Sequence, residues 1–104
     1  FQDTVINWNK DCISLYNWIR AMIFPPFQYP HTALNNEKIE IVSVHSHNNK
    51  AGRPGEIMQI DRAGITISAK QGSIIINRIL FNNNEMSANK FAIENNLKKG
   101  QILG

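Results

Sequence analysis

The chain has 104 residues, 42% hydrophobic and 18% charged, with a single cysteine. That composition describes one globular domain with one core and excludes a disordered chain, an internal disulfide and any apolar run near the roughly 20 residues of a membrane span. The net charge is +3: residues 1–50 carry four cations and four acids, while residues 51–104 carry seven against four. A basic second half is compatible with a polyanionic partner, and equally with plain solubility.

The first nine residues read as an approach segment, apolar at Val5, Ile6 and Trp8. A helix is predicted over Cys12–Ile23, with Asp11 or Asn9 supplying the N-cap oxygen. Cys12, Leu15, Tyr16, Ile19, Met22 and Ile23 recur at helical spacing and form its apolar face. Trp18 lies off that face, as for an exposed ring or one that meets a neighbouring domain. Pro25-Pro26 ends the helix, because a residue before proline avoids the α region. Phe27–Leu34 reads as an irregular lead into an edge strand, and Asn35-Asn36 as a turn. In Lys38–His47, Ile39 and Ile41 share one face but Val42 and Val44 share the other. One extra residue near Ile41–Val42, a β-bulge, accounts for the slip. The polar loop His47–Pro54 follows.

Gly55–Ile79 organises the rest. It reads as three short strands joined by the turns Asp61-Arg62-Ala63-Gly64 and Gln71-Gly72. Ile65, Ile67 and Ala69 alternate with Thr66 and Ser68, the signature of a half-buried strand. The Ile-rich run Ser73–Phe81 belongs deep in the sheet. Asn82-Asn83-Asn84 reads as a loop, and Ser87 as the cap of a short helix, Ala88–Glu94, with Met86 and Phe91 at hydrophobic-staple spacing. Asn95-Asn96 ends that helix. Leu97–Gly104 is a last extended piece suited to an exposed edge. The fold expected is mainly β: a single domain over residues 1–104, a small OB-like five-stranded antiparallel barrel with an N-terminal helix and a short C-terminal helix.

Catalytic constellations are scarce. No nucleophile elbow frames a serine, no glycine loop precedes a helix to cradle phosphate, and no carboxylates pair at helical spacing. No catalytic residue is expected. His45 and His47 project to one face of a strand, but a metal needs three or four ligands and only His31 could join them through the fold, so no metal is expected. Cys12 suits a small buried hydrophobe better than a reactive thiol. The aromatic residues around the first helix (Trp8, Tyr16, Trp18, Phe24, Phe27, Tyr29) suit core packing or a partner-domain contact. Lys38, Arg53, Lys70, Lys98 and Lys99 are the candidate phosphate contacts, since a phosphate needs only a positive group within reach. The single cysteine and the lack of a basic-then-apolar leader point to the cytoplasm, with no membrane partner.

Six pieces then agree in order with one family. Ile6-Asn7-Trp8-Asn9-Lys10, Ile19-Arg20-Ala21 and the Pro-rich aromatic stretch resemble the opening of the C-terminal domain of the methionyl-tRNA formyltransferase family. Arg53-Pro54-Gly55-Glu56-Ile57 resembles the segment that leads into one of its strands, and Asp61–Ile76 its hairpin. Met86-Ser87-Ala88 with Phe91 resembles its "MSA--F" motif, and Lys99-Gly100 with Leu103-Gly104 its tail. The resemblance implies an OB-like barrel appended to an N-terminal catalytic domain of the same chain. That domain would move a formyl group from 10-formyltetrahydrofolate to an amine, while this domain helps hold initiator tRNA; no cofactor belongs to the fragment itself. Where the family reads "PWPGA-T", this chain has Pro26-Phe27-Gln28-Tyr29-Pro30-His31-Thr32. Phe24-Pro25-Pro26-Phe27 resembles related amino-sugar N-formyltransferases, in which the domain would be structural or dimerising. The acceptor is thus tRNA or a nucleotide-linked amino sugar, and the basic second half together with the "MSA--F" resemblance favours tRNA.

Overall fold

The computed structural model describes residues 5–23, 29–34 and 36–103. Helix α1 (Cys12–Ile23) has the predicted bounds. Asp11 caps it, accepting from the Ser14 N–H at 2.9 Å and from the Ser14 hydroxyl at 2.9 Å. Cys12, Leu15, Ile19 and Met22 are its buried side chains. Pro25-Pro26, Asn35 and the Phe24–Phe27 stretch lie outside the described residues.

The strands are β1 (His31–Leu34), β2 (Glu37–Asn48), β3 (Ile57–Asp61), β4 (Gly64–Ser68), β5 (Ser73–Phe81) and β6 (Asn84–Ser87), followed by helix α2 (Ala88–Glu94). All pair antiparallel in the order β1-β2-β5-β4-β3, with β6 also on β5. The Ile-rich β5 is the hub, as its composition predicts. Among the described residues β1 and β3 do not pair, so the sheet is not closed. It is nonetheless barrel-like, because Thr32 of β1, Ile41 of β2, Ile57 of β3, Ile67 of β4, Ile76 of β5 and Phe91 of α2 all line one interior void of about 20 Å³. A space that small and apolar is a packed core, not a ligand chamber.

The strand count is six rather than five. Asn82 and Asn83 both adopt positive φ (52° and 65°), the two-residue geometry that matches the twist of a tight hairpin. Asn84 therefore pairs with Phe81 and begins β6 instead of prolonging a loop. The expected bulge is present: the β2–β5 register shifts between Ile41 and Ser43, and twice more before Ser46. β4 is buried along its whole length, not on one face only. The 52–56 loop lies over its end, where Gly52 N–H donates to Ser68 Oγ at 2.7 Å.

Side packing seals the two ends of the strand order. Ile6 N–H bonds His31 O beside β1, and buried Trp8 donates from Nε1 to Thr32 Oγ1 at 3.1 Å. Beside β3 the C-terminal segment pairs as expected: Ile57 N–H donates to Gln101 O and Leu103 N–H to Gly55 O. α1 packs on β2, and α2 on β5, β4 and β6. Ser87 caps α2 by accepting from Lys90 N–H at 3.1 Å. Trp18 is half-buried against the core and so is not a freely exposed ring.

Candidate nucleic-acid interface

Strand register decides where the basic residues meet. Asn48 pairs with Ser73, Ser73 with Ser68, and Ser68 N–H donates to Glu56 O. These contacts define one end of the sheet. Three other segments close on it. The start of α1 arrives through Cys12 N–H to Gln71 O (2.7 Å) and Lys70 N–H to Lys10 O (2.9 Å). The loop after β2 carries Lys50 and Arg53. The C-terminal segment, tied by Gly100 N–H to Ile57 O, brings Lys98 and Lys99.

Arg53, Lys70, Lys98 and Lys99 therefore share one end, and Lys10 and Lys50 join them. All six are exposed. The acids on the same segments are Asp11 and Glu56, and both are engaged. Glu56 accepts from the Arg53 N–H at 2.9 Å and pairs with its guanidinium at 3.7 Å. Asp11 has its carboxyl held below the usual value, first by the Ser14 N–H, then by the Ser14 hydroxyl. Between α1 and the β4–β5 turn lies a cleft of about 460 Å³, lined by Asn9, Lys10, Asp11, Ser14, Lys70 and Gln71. At this cleft two lysines outnumber the one carboxylate, Asp11, which stays ionised, and a net positive surface of this kind suits phosphate.

Lys38 stands apart. It pairs with Ala33 in the β1–β2 hairpin at the opposite end of the sheet, between Glu37 and Glu40. Lys10 and Lys50 are the functional candidates that the reading of the sequence did not pick out. Lys10 immediately precedes the Asp11 cap, so docking the helix start onto the Gln71-Gly72 turn would have located it.

His45 and His47 are both exposed on β2, and among the described residues no group of three or more His, Cys, Asp or Glu side chains could hold a metal ion. The Tyr16 ring meets His47 edge-on, with centroids 5.0 Å apart at 69°, and the Arg20 guanidinium lies 5.5 Å from the Tyr16 centroid. Cys12 is buried and its thiol donates to Asn48 O at 3.6 Å, the structural role expected of it. No described helix is long and apolar enough to cross a membrane.

The family profile described as the formyl transferase C-terminal domain matches residues 2–96. A methionyl-tRNA formyltransferase from Alkaliphilus metalliredigens is 31% identical over 100 residues, covering 95% of this chain and 32% of that protein. One from Clostridium acetobutylicum is 30% identical over 105 residues, covering 94% and 32%. One from Mesoplasma florum is 33% identical over 76 residues, covering 72% and 24%. The chain thus spans about a third of the length of the first two of these curated relatives.

Proposed function

The chain belongs to the formyl transferase C-terminal domain family, and on that premise we propose that it is the accessory, non-catalytic domain of a cytoplasmic methionyl-tRNA formyltransferase. A catalytic domain N-terminal to it transfers the formyl group of 10-formyltetrahydrofolate to the amine of the charged initiator tRNA. This domain holds that tRNA by its backbone. The relatives' names support tRNA as the acceptor over an amino sugar. The Phe24-Pro25-Pro26-Phe27 stretch that suggested the amino-sugar reading lies outside the described residues.

The observation that carries the proposal is the gathering of Lys10, Lys50, Arg53, Lys70, Lys98 and Lys99, from segments distant in sequence, at one end of the sheet beside two acids already engaged. Phosphate contacts release counterions, so affinity should fall linearly with salt on logarithmic axes. Titration of initiator tRNA at several salt concentrations tests it. Lys70→Ala and Lys98→Ala should each weaken binding and flatten the salt slope by about 0.7–0.9 for each phosphate no longer neutralised. Lys38→Ala should leave the slope as it is. Absence of binding even at low salt, or a Lys38 effect as large as that of Lys70, would remove the support.

A further inference from the structure

We propose that Tyr16, Arg20 and His47 form a stacking site for one unpaired nucleobase of an RNA strand whose phosphates run over the basic end. This rests on the RNA-binding reading above and adds what that reading lacks, a preference for unpaired nucleotides.

The site is built by α1 lying on β2. Tyr16 and Arg20 are four residues apart, hence one above the other on the helix. Tyr16 is half-buried and so fixed in place, while Arg20 and His47 are exposed. The Tyr16 ring holds the other two: His47 edge-on at 5.0 Å, and the Arg20 guanidinium 5.5 Å from its centroid. Arg20 is thereby ordered without an acid. Among the described residues no carboxylate pairs with it, and no hydrogen bond occupies the His47 ring nitrogens. Among the described residues, two exposed flat π-systems thus keep charge and hydrogen-bonding capacity unspent.

Planar groups of this kind take the faces of bases, which are available only where a strand is unpaired. The site is continuous with the basic end. Asn48, next to His47, accepts the Cys12 thiol through its carbonyl and the Ser73 hydroxyl through Oδ1 at 2.6 Å. Cys12 in turn is tied to the turn that carries Lys70. A strand stacked on His47 and Arg20 therefore has the Lys10–Lys70 cleft beside it for its phosphates.

The test uses a single-stranded RNA of about ten nucleotides, within the span of one small barrel, carrying 2-aminopurine, and a blunt RNA duplex as comparison. Binding of the single strand should quench the 2-aminopurine emission. Arg20→Lys keeps the charge and loses the flat face; His47→Ala loses the ring. Each should weaken single-strand binding by roughly 5-fold or more, the low end of what one base stack contributes, with duplex affinity and salt slope unchanged. Both side chains are exposed, and a thermal melt of each variant separates stacking from folding. If salt-dependent binding of both RNAs occurs without quenching, or Arg20→Lys binds the single strand at full affinity, the stacking site is wrong and the backbone-binding reading survives. If the parent protein binds neither RNA at low salt, both readings fall.

Discussion

Gly72 sits where the basic end is assembled, and alanine there should take it apart. Its φ is +81°, and a Cβ would overlap Cys12 Sγ while standing 2.7 Å from the Asn48 carbonyl oxygen and 2.9 Å from Cys12 Cβ. Two of those three neighbours are backbone or stem atoms that cannot swing aside. The first cost is the left-handed backbone itself, about 1–2 kcal/mol for a residue with a Cβ. The second is the parting of α1 from the β4–β5 turn. That breaks the Cys12–Gln71 and Lys70–Lys10 backbone bonds, at about 1 kcal/mol each. Gly72→Ala should therefore cost about 3–4 kcal/mol. Gly100 is the control: its φ is +94°, but nothing lies within 4 Å of a Cβ built there, so Gly100→Ala should show the backbone cost alone. Urea unfolding followed by the fluorescence of Trp8 and Trp18 measures both, and the gap between the variants should be about 2 kcal/mol. Equal costs for the two would mean that the turn relaxes without releasing the helix, and the argument from close approach would be refuted. RNA affinity of folded Gly72→Ala should also drop, because Lys10 and Lys70 no longer share a cleft.

Trp8→Phe removes the only donor described for the buried Thr32 hydroxyl and should cost about 1–3 kcal/mol for the unpaired group. Thr32→Val in the same background should recover part of it in denaturant titrations, and a neutral Trp8→Phe would show that the hydroxyl has another partner. Ser87→Ala should lose about 1 kcal/mol by uncapping α2, seen also as faster hydrogen exchange at the Lys90 amide. Asp11 titrates below its ordinary 3.8 in the folded chain because Ser14 donates to its charged form. Its contribution to stability is thus complete above that value and lost as pH falls through the lower folded one. Asp11→Asn keeps an acceptor but cannot titrate, so the stability difference from wild type should be constant near neutrality and shrink below about pH 4. A difference that persists unchanged at pH 2 would contradict the assigned hydrogen bonds.

What the sequence discloses is what neighbouring residues decide. The start of α1 follows from Asp11, the bulge from the phase slip at Ile41–Val42, and the cap of α2 from Ser87. β6 escapes because three consecutive asparagines read as a loop, although two at positive φ make the tightest of hairpins. The burial of the end of β4 escapes because the 52–56 loop that lies over it depends on a bond from Gly52 to Ser68 across 16 positions. The basic residues show the same division. Exposure and charge, both local, single out Lys38 and Lys70 alike. Their separation depends on β2, whose 12 residues carry the chain from one end of the sheet to the other. Lys38 is left among glutamates at its start, and Lys50 is delivered to the cationic end just past its close. A polyanion responds to summed potential over distances near the Debye length, about 8–10 Å, so it is strand register, rather than the number of lysines, that gathers positive charge at one end of this domain, as the proposed RNA binding requires.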